Sequence, residues 1–423
     1  MRLQNPRNGI MLRRSTVGND PPALSLRLSV CRKDRHIVMT DQDTILLTGA
    51  TGNIGARLLV ELLGCGDNVR IAVLVRGKSE QDARNRLNAN LRLIAPDLVD
   101  WGSTRSIEVL CGDITSSDLG LTPHMRERIT RSVTHVIHAA ASTQWHLPLT
   151  CARAVNVAGT TNMLQFAKEA HRVGRLQRFV YLSTAYVCGE KTGTIREIEH
   201  RGELRFANTY EQTKWEAEQQ VISASDDLPV TVVRPSITVG DSRTGLAVTF
   251  NVLYPPLRYI LTGKLARLTC PPQNRLDLVP VDYVARAVAH LTLHSKPPSG
   301  AIFHLTAGPD RSLPIAEIVK KALSLAGMGS DRLPLMNNES SRDEAGANAG
   351  GNHKVMALMR LYASYLQIER DFDDTNTRAA LKDSGIDLPH LSQYLEALLR
   401  TFICREIEPA ERRIASLAAG GRR

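Results

Sequence analysis

A chain of 423 residues, 43% hydrophobic but only 4% aromatic, has room for one large α/β domain and a smaller lobe around an aliphatic core. Residues 1–40 carry eight Lys and Arg against Asp20 and Asp34, so they supply +6 of the formal net charge of +10; the rest is mildly basic and nucleic acid is not an expected partner. No run approaches the ~18 apolar residues of a membrane span. The seven cysteines, at 31, 65, 111, 151, 188, 270 and 404, form no C-x-x-C pair and no ligand cluster. That pattern argues against a metal site and fits reduced thiols in a cytoplasmic protein.

Residues 1–40 read as a disordered basic leader, with Met39 just ahead of the first ordered segment. From there short apolar runs alternate with amphipathic stretches. The runs are TILLTG (44–49), RIAVLVR (70–76), SIEVLCGD (106–113), VTHVIHAAA (133–141), RFVYLST (178–184) and VTVVRPS (230–236). Each is rich in Val, Ile and Leu and nearly continuously apolar, as strands covered on both faces by helices are. Between them, NIGARLLVELL and NVAGTTNMLQFAKEA place apolar residues at helical spacing. Six repeats of strand and helix predict a Rossmann-type α/β fold, a doubly wound parallel sheet, over residues 41–240.

A smaller, mainly helical substrate-binding lobe is expected over 241–423. Within it, 245–265 reads as irregular helix broken at Pro255-Pro256, 276–293 as an extended piece and a helix N-capped by Asp282, and 301–306 as a returning strand. Residues 337–352, polar and rich in Gly, Ala and Ser, read as a flexible insert, and 354–404 as helical again.

Three motifs carry chemistry. The first, TGATGNIG, sets Gly49, Gly52 and Gly55 between a strand and a helix. Such a turn lets the chain bend sharply, lets backbone approach a pyrophosphate, and aims the N–H groups of Thr51, Gly52, Asn53 and Ile54 at it. The second is VLVRGK. Where an NAD site places a carboxylate for the ribose, about twenty residues on, this sequence has Arg76, with Arg86 ten residues later. A guanidinium grips a 2′-phosphate and a carboxylate would repel it, so NADPH (NADP+) is the expected cofactor. Asp113 and Ile114 end the third strand where an adenine would lie, and Ala139, Ala140 and Ala141 keep the fourth tip small for a ribose. The third motif, Tyr210 with Lys214 four residues on, puts a phenol and an ammonium on one helix face. There the ammonium would draw the phenol's pKa down from ~10 and hold the nicotinamide ribose. Thr184, in LSTAYVCG, would orient a substrate carbonyl.

These residues resemble the extended short-chain dehydrogenase/reductases over roughly residues 43–310, with TGATGNIG matching their glycine turn. Matched residue by residue, Thr184, Tyr210 and Lys214 take the catalytic triad's roles. Gly49, Gly52 and Gly55 take the pyrophosphate turn, Arg76 takes the 2′-phosphate, and Arg234-Pro235 approaches the nicotinamide. GDITSSDLGL (112–121), HAAASTQW (138–145), STAYVCG, LVPVDYVARAV and YLQIERDFDDTNTRAAL (365–381) are similar to the thioester reductase branch. That branch includes terminal domains of carboxylic acid reductases and the fatty acyl-CoA reductases. The resemblance implies NADPH-dependent reduction of an acyl thioester to the aldehyde, with a second hydride giving the alcohol. The substrate would arrive as a CoA ester or on an acyl or peptidyl carrier protein.

Two alternatives stay open: another reaction on this scaffold, such as ketone or alcohol oxidoreduction or sugar-nucleotide epimerisation, and a non-catalytic dinucleotide sensor. Cys188, His138 and His146 read as structural. Trp145 reads either as the wall of an acyl channel or as core.

Overall fold

The computed structural model describes residues 43–65, 69–96, 107–265, 268–329, 335–336, 362 and 365–408; the leader and the insert at 337–352 lie outside them. The six apolar runs form strands β1 (Asp43–Thr48), β2 (Val69–Val75), β3 (Ile107–Cys111), β4 (His135–His138), β5 (Arg178–Leu182) and β6 (Val230–Pro235). The returning strand Ala301–Leu305 is β7. Helices α1 (Asn53–Leu63), α2 (Glu80–Ile94), α3 (Pro123–Ser132), α4 (Leu149–Asn156), α5 (Ala158–Arg172) and α6 (Thr209–Ser223) connect the first six. Then follow α7 (Tyr254–Leu261) and α8 (Val281–Leu293).

One seven-stranded sheet runs β7-β6-β5-β4-β1-β2-β3, and every pair in it is parallel. The winding direction reverses between β1 and β4, which opens a crevice at their carboxyl ends. Successive residues of β1 bury opposite ways. Ile45 and Leu47 join the core shared with α1, α2 and α8, and Leu46 joins the core shared with α3, α5 and α6. Unbroken apolar character is therefore required.

A third core builds the lobe. Tyr254, Leu257, Ile318, Leu391, Leu395 and Phe402 pack with Ala185, Tyr186 and Cys188, a few residues past β5. Thr184 thus sits between Leu182, in the core shared with α1, and Ala185, in the core of the lobe. α8 and β7 belong to the nucleotide-binding layer although they follow residue 241: α8 lies on α1 and β7 closes the sheet beside β6.

Three sequence expectations for this half are corrected. Pro255 and Pro256 begin α7 rather than break a helix, because the first turn has no intrahelical use for their missing N–H groups. Asp282 does not cap α8. The cap position is Pro280, and the Asp282 carboxylate is taken by Ser242 N and Oγ, both at 2.8 Å. Nor is 354–404 wholly helical: Arg370–Phe372 is a strand pairing in parallel with Gly193–Ile195. Helices Thr375–Leu381 and Leu391–Phe402 follow it.

The buried Glu197 fastens this late segment. Its carboxylate accepts from His304 N (2.7 Å), Thr377 N (3.2 Å), Thr377 Oγ1 (2.9 Å) and Asn376 N.

Candidate active site

The glycine turn leaves β1 at Gly49, whose φ of +78° suits glycine; a Cβ there would lie 2.6 Å from Ala139 C and Ala140 N, at the tip of β4. At Gly55 a Cβ would lie 2.1 Å from Gly49 O, so this glycine lets α1 press onto the turn. Gly52 is exposed and caps α1 without a side chain, and the first turn has no acid. An uncapped helix start with its dipole unopposed is what a pyrophosphate requires.

Thr48 ties the turn to β4. Its Oγ1 is 2.8 Å from His138 Nδ1 and accepts from Ala140 N at 3.2 Å, while His138 Nε2 reaches Thr160 Oγ1 at 3.1 Å. Burial, with the Lys214 charge adding to it, pushes the His138 pKa down to about 3, so this imidazole is a neutral link. Asn90 holds the turn from α2, donating to Thr51 O at 2.7 Å. Sequence reasoning missed both anchors, Thr48 and Asn90, because each depends on which strand or helix becomes its neighbour.

Other expected cofactor residues fall along the same edge. Arg76 is exposed at the tip of β2, and the Arg86 guanidinium returns from α2 to donate to Arg76 O at 2.5 Å. Asp113 follows β3, with Oδ1 accepting from Thr115 N and Oγ1 at 2.9 and 3.0 Å. Ala139, Ala140 and Ala141 are half-buried just past β4, and Pro235 ends β6.

Several of the expected residues have side chains with structural partners of their own. The Ile114 side chain packs against Gly159 of α5 and its carbonyl accepts from Asn162 at 2.8 Å. The Asn53 side chain accepts at Oδ1 from Val248 N at 3.0 Å, tying the turn to the lobe. Ile54 packs on the core. Arg234 points its guanidinium into the interior, 0% exposed, in an ion pair with Glu218.

Thr184, Tyr210 and Lys214 come together beyond β5. Asn208 caps α6, accepting from Glu211 N at 2.9 Å, and so fixes where the helix presents Tyr210. The Tyr210 hydroxyl is hydrogen-bonded to the Thr184 side chain. Thr184 Oγ1 also accepts from Tyr186 N at 3.3 Å. Lys214 is buried, donating to Leu182 O at 2.6 Å with its nitrogen 4.0 Å from the centre of the Tyr181 ring.

Burial pushes the Tyr210 pKa up to about 12, helped by the Glu211 charge and opposed by the Thr184 hydrogen bond. The ammonium spends itself on Leu182 O and the Tyr181 ring. Burial brings the Lys214 pKa down to about 7 against the pull of Glu218. Tyr210 therefore holds its proton at neutral pH, as a proton donor must.

An aromatic wall stands beside this pair. Trp145 stacks on Tyr365 (ring centres 4.8 Å apart, 3° between planes), Tyr365 meets Tyr186 at 4.7 Å, and Tyr365 Oη donates to Glu211. The late segment thus reaches the residue next to Tyr210. Cys188, buried, has its thiol pKa pushed up to about 11 by burial, so it stays a thiol and packs.

A parallel sheet with a glycine turn at its switch point and a Thr-Tyr-Lys cluster at its carboxyl edge define the extended short-chain dehydrogenase/reductase class. The model of the male sterility protein family, an NAD-binding domain, matches residues 47–288. The chain belongs to this family and to the thioester reductase branch of that class. The terminal R domain of the myxalamid PKS-NRPS biosynthetic pathway superposes with a TM-score of 0.73 at 30% identity, covering 87% of this chain and 92% of that one. Over 261 residues the chain is 30% identical to the non-canonical nonribosomal peptide synthetase cpsA of Aspergillus campestris, covering 59% of this chain and 24% of that protein. Carboxylic acid reductase of Mycobacterium tuberculosis is 30% identical over 307 residues, 65% of this chain and 25% of that protein. The chain thus spans about a quarter of the length of these two relatives. Among the described residues no helix is long and apolar enough to cross a membrane.

Proposed function

We propose that the protein reduces an acyl thioester with NADPH, releasing an aldehyde and a thiol. The observation that carries this reading is the juxtaposition, across one crevice, of an uncapped helix start flanked by Arg76 and Arg86 with the hydroxyl pair Thr184–Tyr210. The relatives support it by name: they include a terminal reductase domain and a carboxylic acid reductase.

In this reading Gly49, Gly52 and Gly55 and the free N–H groups of Thr51, Asn53 and Ile54 hold the pyrophosphate. Arg76 and Arg86 hold the 2′-phosphate, Asp113 and the turn at Ile114 border the adenine, and Ala139, Ala140, Ala141 and Pro235 leave room for ribose and nicotinamide. When bound, the dinucleotide supplies a hydride to the carbonyl carbon. Thr184 and Tyr210 donate hydrogen bonds to the carbonyl oxygen as charge develops on it, and Tyr210 passes its proton to that oxygen. Lys214, on the same helix face, orients the ribose and balances the phenolate left behind. The resulting thiohemiacetal collapses: its hydroxyl returns the proton to the Tyr210 phenolate as the C–S bond breaks, the sulfur leaves as thiolate and takes a proton from solvent, and the aldehyde remains.

The substrate is an acyl-CoA or an acyl chain on the phosphopantetheine of a carrier protein. Incubation with NADPH and a panel of both thioester types, read by loss of the nicotinamide absorbance and by mass spectrometry of products, tests the proposal. Aldehyde or alcohol from at least one thioester is expected; absence of reduction across the panel overturns it.

Cofactor choice has its own test. Arg76→Ala is expected to raise the KM for NADPH about 10–100-fold, the worth of one or two charged hydrogen bonds, and to leave that for NADH within about twofold. Equal losses for both cofactors would argue against a 2′-phosphate site at Arg76.

A further inference from the structure

One turn beyond Lys214, helix α6 carries a second fully buried charge. Glu218 is 0% exposed and shares a helix face with Lys214 and Tyr210. Its carboxylate accepts from Arg234 Nη2 at 2.6 Å and from Arg234 Nε at 3.0 Å. The third nitrogen, Nη1, donates to His200 Nε2 at 3.3 Å and His304 Nε2 at 3.2 Å. A guanidinium can only donate, so both imidazoles accept at Nε2 and carry their proton on Nδ1. His304 Nδ1 accordingly donates to Asp373 O at 2.7 Å. Four elements therefore fix the position of one carboxylate: α6, β6, β7 and the loop before α6.

A buried ion pair is a poor device for stability, since apolar side chains of similar volume often do as well. The Glu218 charge has a better use nearby. The groups facing Lys214 are His138 from β4, held neutral; Tyr181 from β5, which offers its ring; and Tyr210 and Glu218 from its own helix. Arg234 of β6 is the adjacent cation, and it is committed to Glu218. Among the described residues, Glu218 is the carboxylate that acts on Lys214. Burial favours the neutral amine, and Leu182 O and the Tyr181 ring offer the ammonium partners that carry no net charge.

We propose that Glu218 is a positioning residue that keeps Lys214 an ammonium during turnover, with Arg234 and its two neutral histidines holding the carboxylate in place. The inference rests on the reductase reading for its kinetic consequence, since only an ammonium at Lys214 grips the ribose and balances the Tyr210 phenolate. It also explains why Arg234 is turned inward.

The test compares Glu218→Gln, which keeps size and can still accept from Arg234, with Glu218→Asp, which keeps the charge. Titration of Lys214 is followed by NMR of lysine labelled at the ε-carbon, the resonance being assigned by its loss in Lys214→Met. In Glu218→Gln the midpoint should fall by about one pH unit, and the alkaline limb of kcat should fall with it, the KM for thioester changing little. Glu218→Asp should restore both. If Glu218→Gln does not fold, Glu218→Gln with Arg234→Met removes both buried charges and is read in the same way. A folded variant whose Lys214 midpoint stays at the wild-type value overturns the proposal, even if its thermal stability has dropped. Wild-type protein that reduces no thioester would instead defeat the reductase reading, and the NMR titration would still decide on Glu218.

Discussion

Tyr210→Phe should lower kcat for thioester reduction by about 10²–10⁴-fold, the range associated with one positioned proton donor. The ring would stay where Asn208 and the cap of α6 place it, so the KM for thioester should change little. What disappears is a hydroxyl hydrogen-bonded to Thr184, with a pKa pushed up to about 12 by burial, and hence proton-bearing at neutral pH. A group that keeps its proton until an alkoxide forms acts in the transition state alone, so its removal falls on kcat. Thr184→Ala should cost less, and the double variant little more than Tyr210→Phe, because two donors to one oxygen act as a unit. Single-turnover rates with saturating NADPH provide the measurement. Activity kept within about fivefold in Tyr210→Phe would remove Tyr210 from the chemistry.

Acid should unfold this protein well above the usual carboxylate range. His138, His200 and His304 are buried, at most 4% exposed, and burial above all pushes each of their pKa values down to about 3 from 6.5. Between those values the unfolded chain binds protons that the folded chain refuses, so stability rises with pH across the window. It is fully present above about pH 6.5 and is lost progressively as pH falls toward 3. Three such groups would give a slope of about 4 kcal/mol per pH unit once the unfolded chain holds all three protons. Glu197, Glu211 and Asp277, raised by burial, act in the opposite sense. The expected net slope is therefore positive and below about 4 kcal/mol per unit. Urea unfolding at pH 7.5, 6.5, 5.5 and 5.0 measures it, and an unfolding free energy that is flat over that range would contradict the neutral histidine network.

How much of this could be read from the sequence depended on how local each signal is. The strands announce themselves because burial on both faces leaves no polar alternation, and Gly49 to Gly55 announce themselves because a strand precedes them and a helix follows. Arg76 was visible as the cation in a position where a carboxylate is usual. Misreadings came where the partner lies far along the chain. Asp282 looks like a cap until Ser242, forty residues back, claims its carboxylate. Arg234 looks like a cofactor residue until Glu218 claims its guanidinium. The spacing of Tyr210 and Lys214 puts them on one helix face, but gives no sign that the ammonium also donates to Leu182 O, contributed by a different element. Glu197 gave no signal at all, since its four donors come from residues 304, 376 and 377.

The fastening of residues 365–377 onto Glu211, Gly193–Ile195 and Glu197 also sets an order of events during synthesis. The glycine turn is anchored by His138 and Asn90, both made before β7, whereas Glu211, next to Tyr210, waits for Tyr365, and Glu197 waits for Asn376 and Thr377. A nascent chain therefore has the parts to grip a dinucleotide before it has those that complete the surroundings of its phenol.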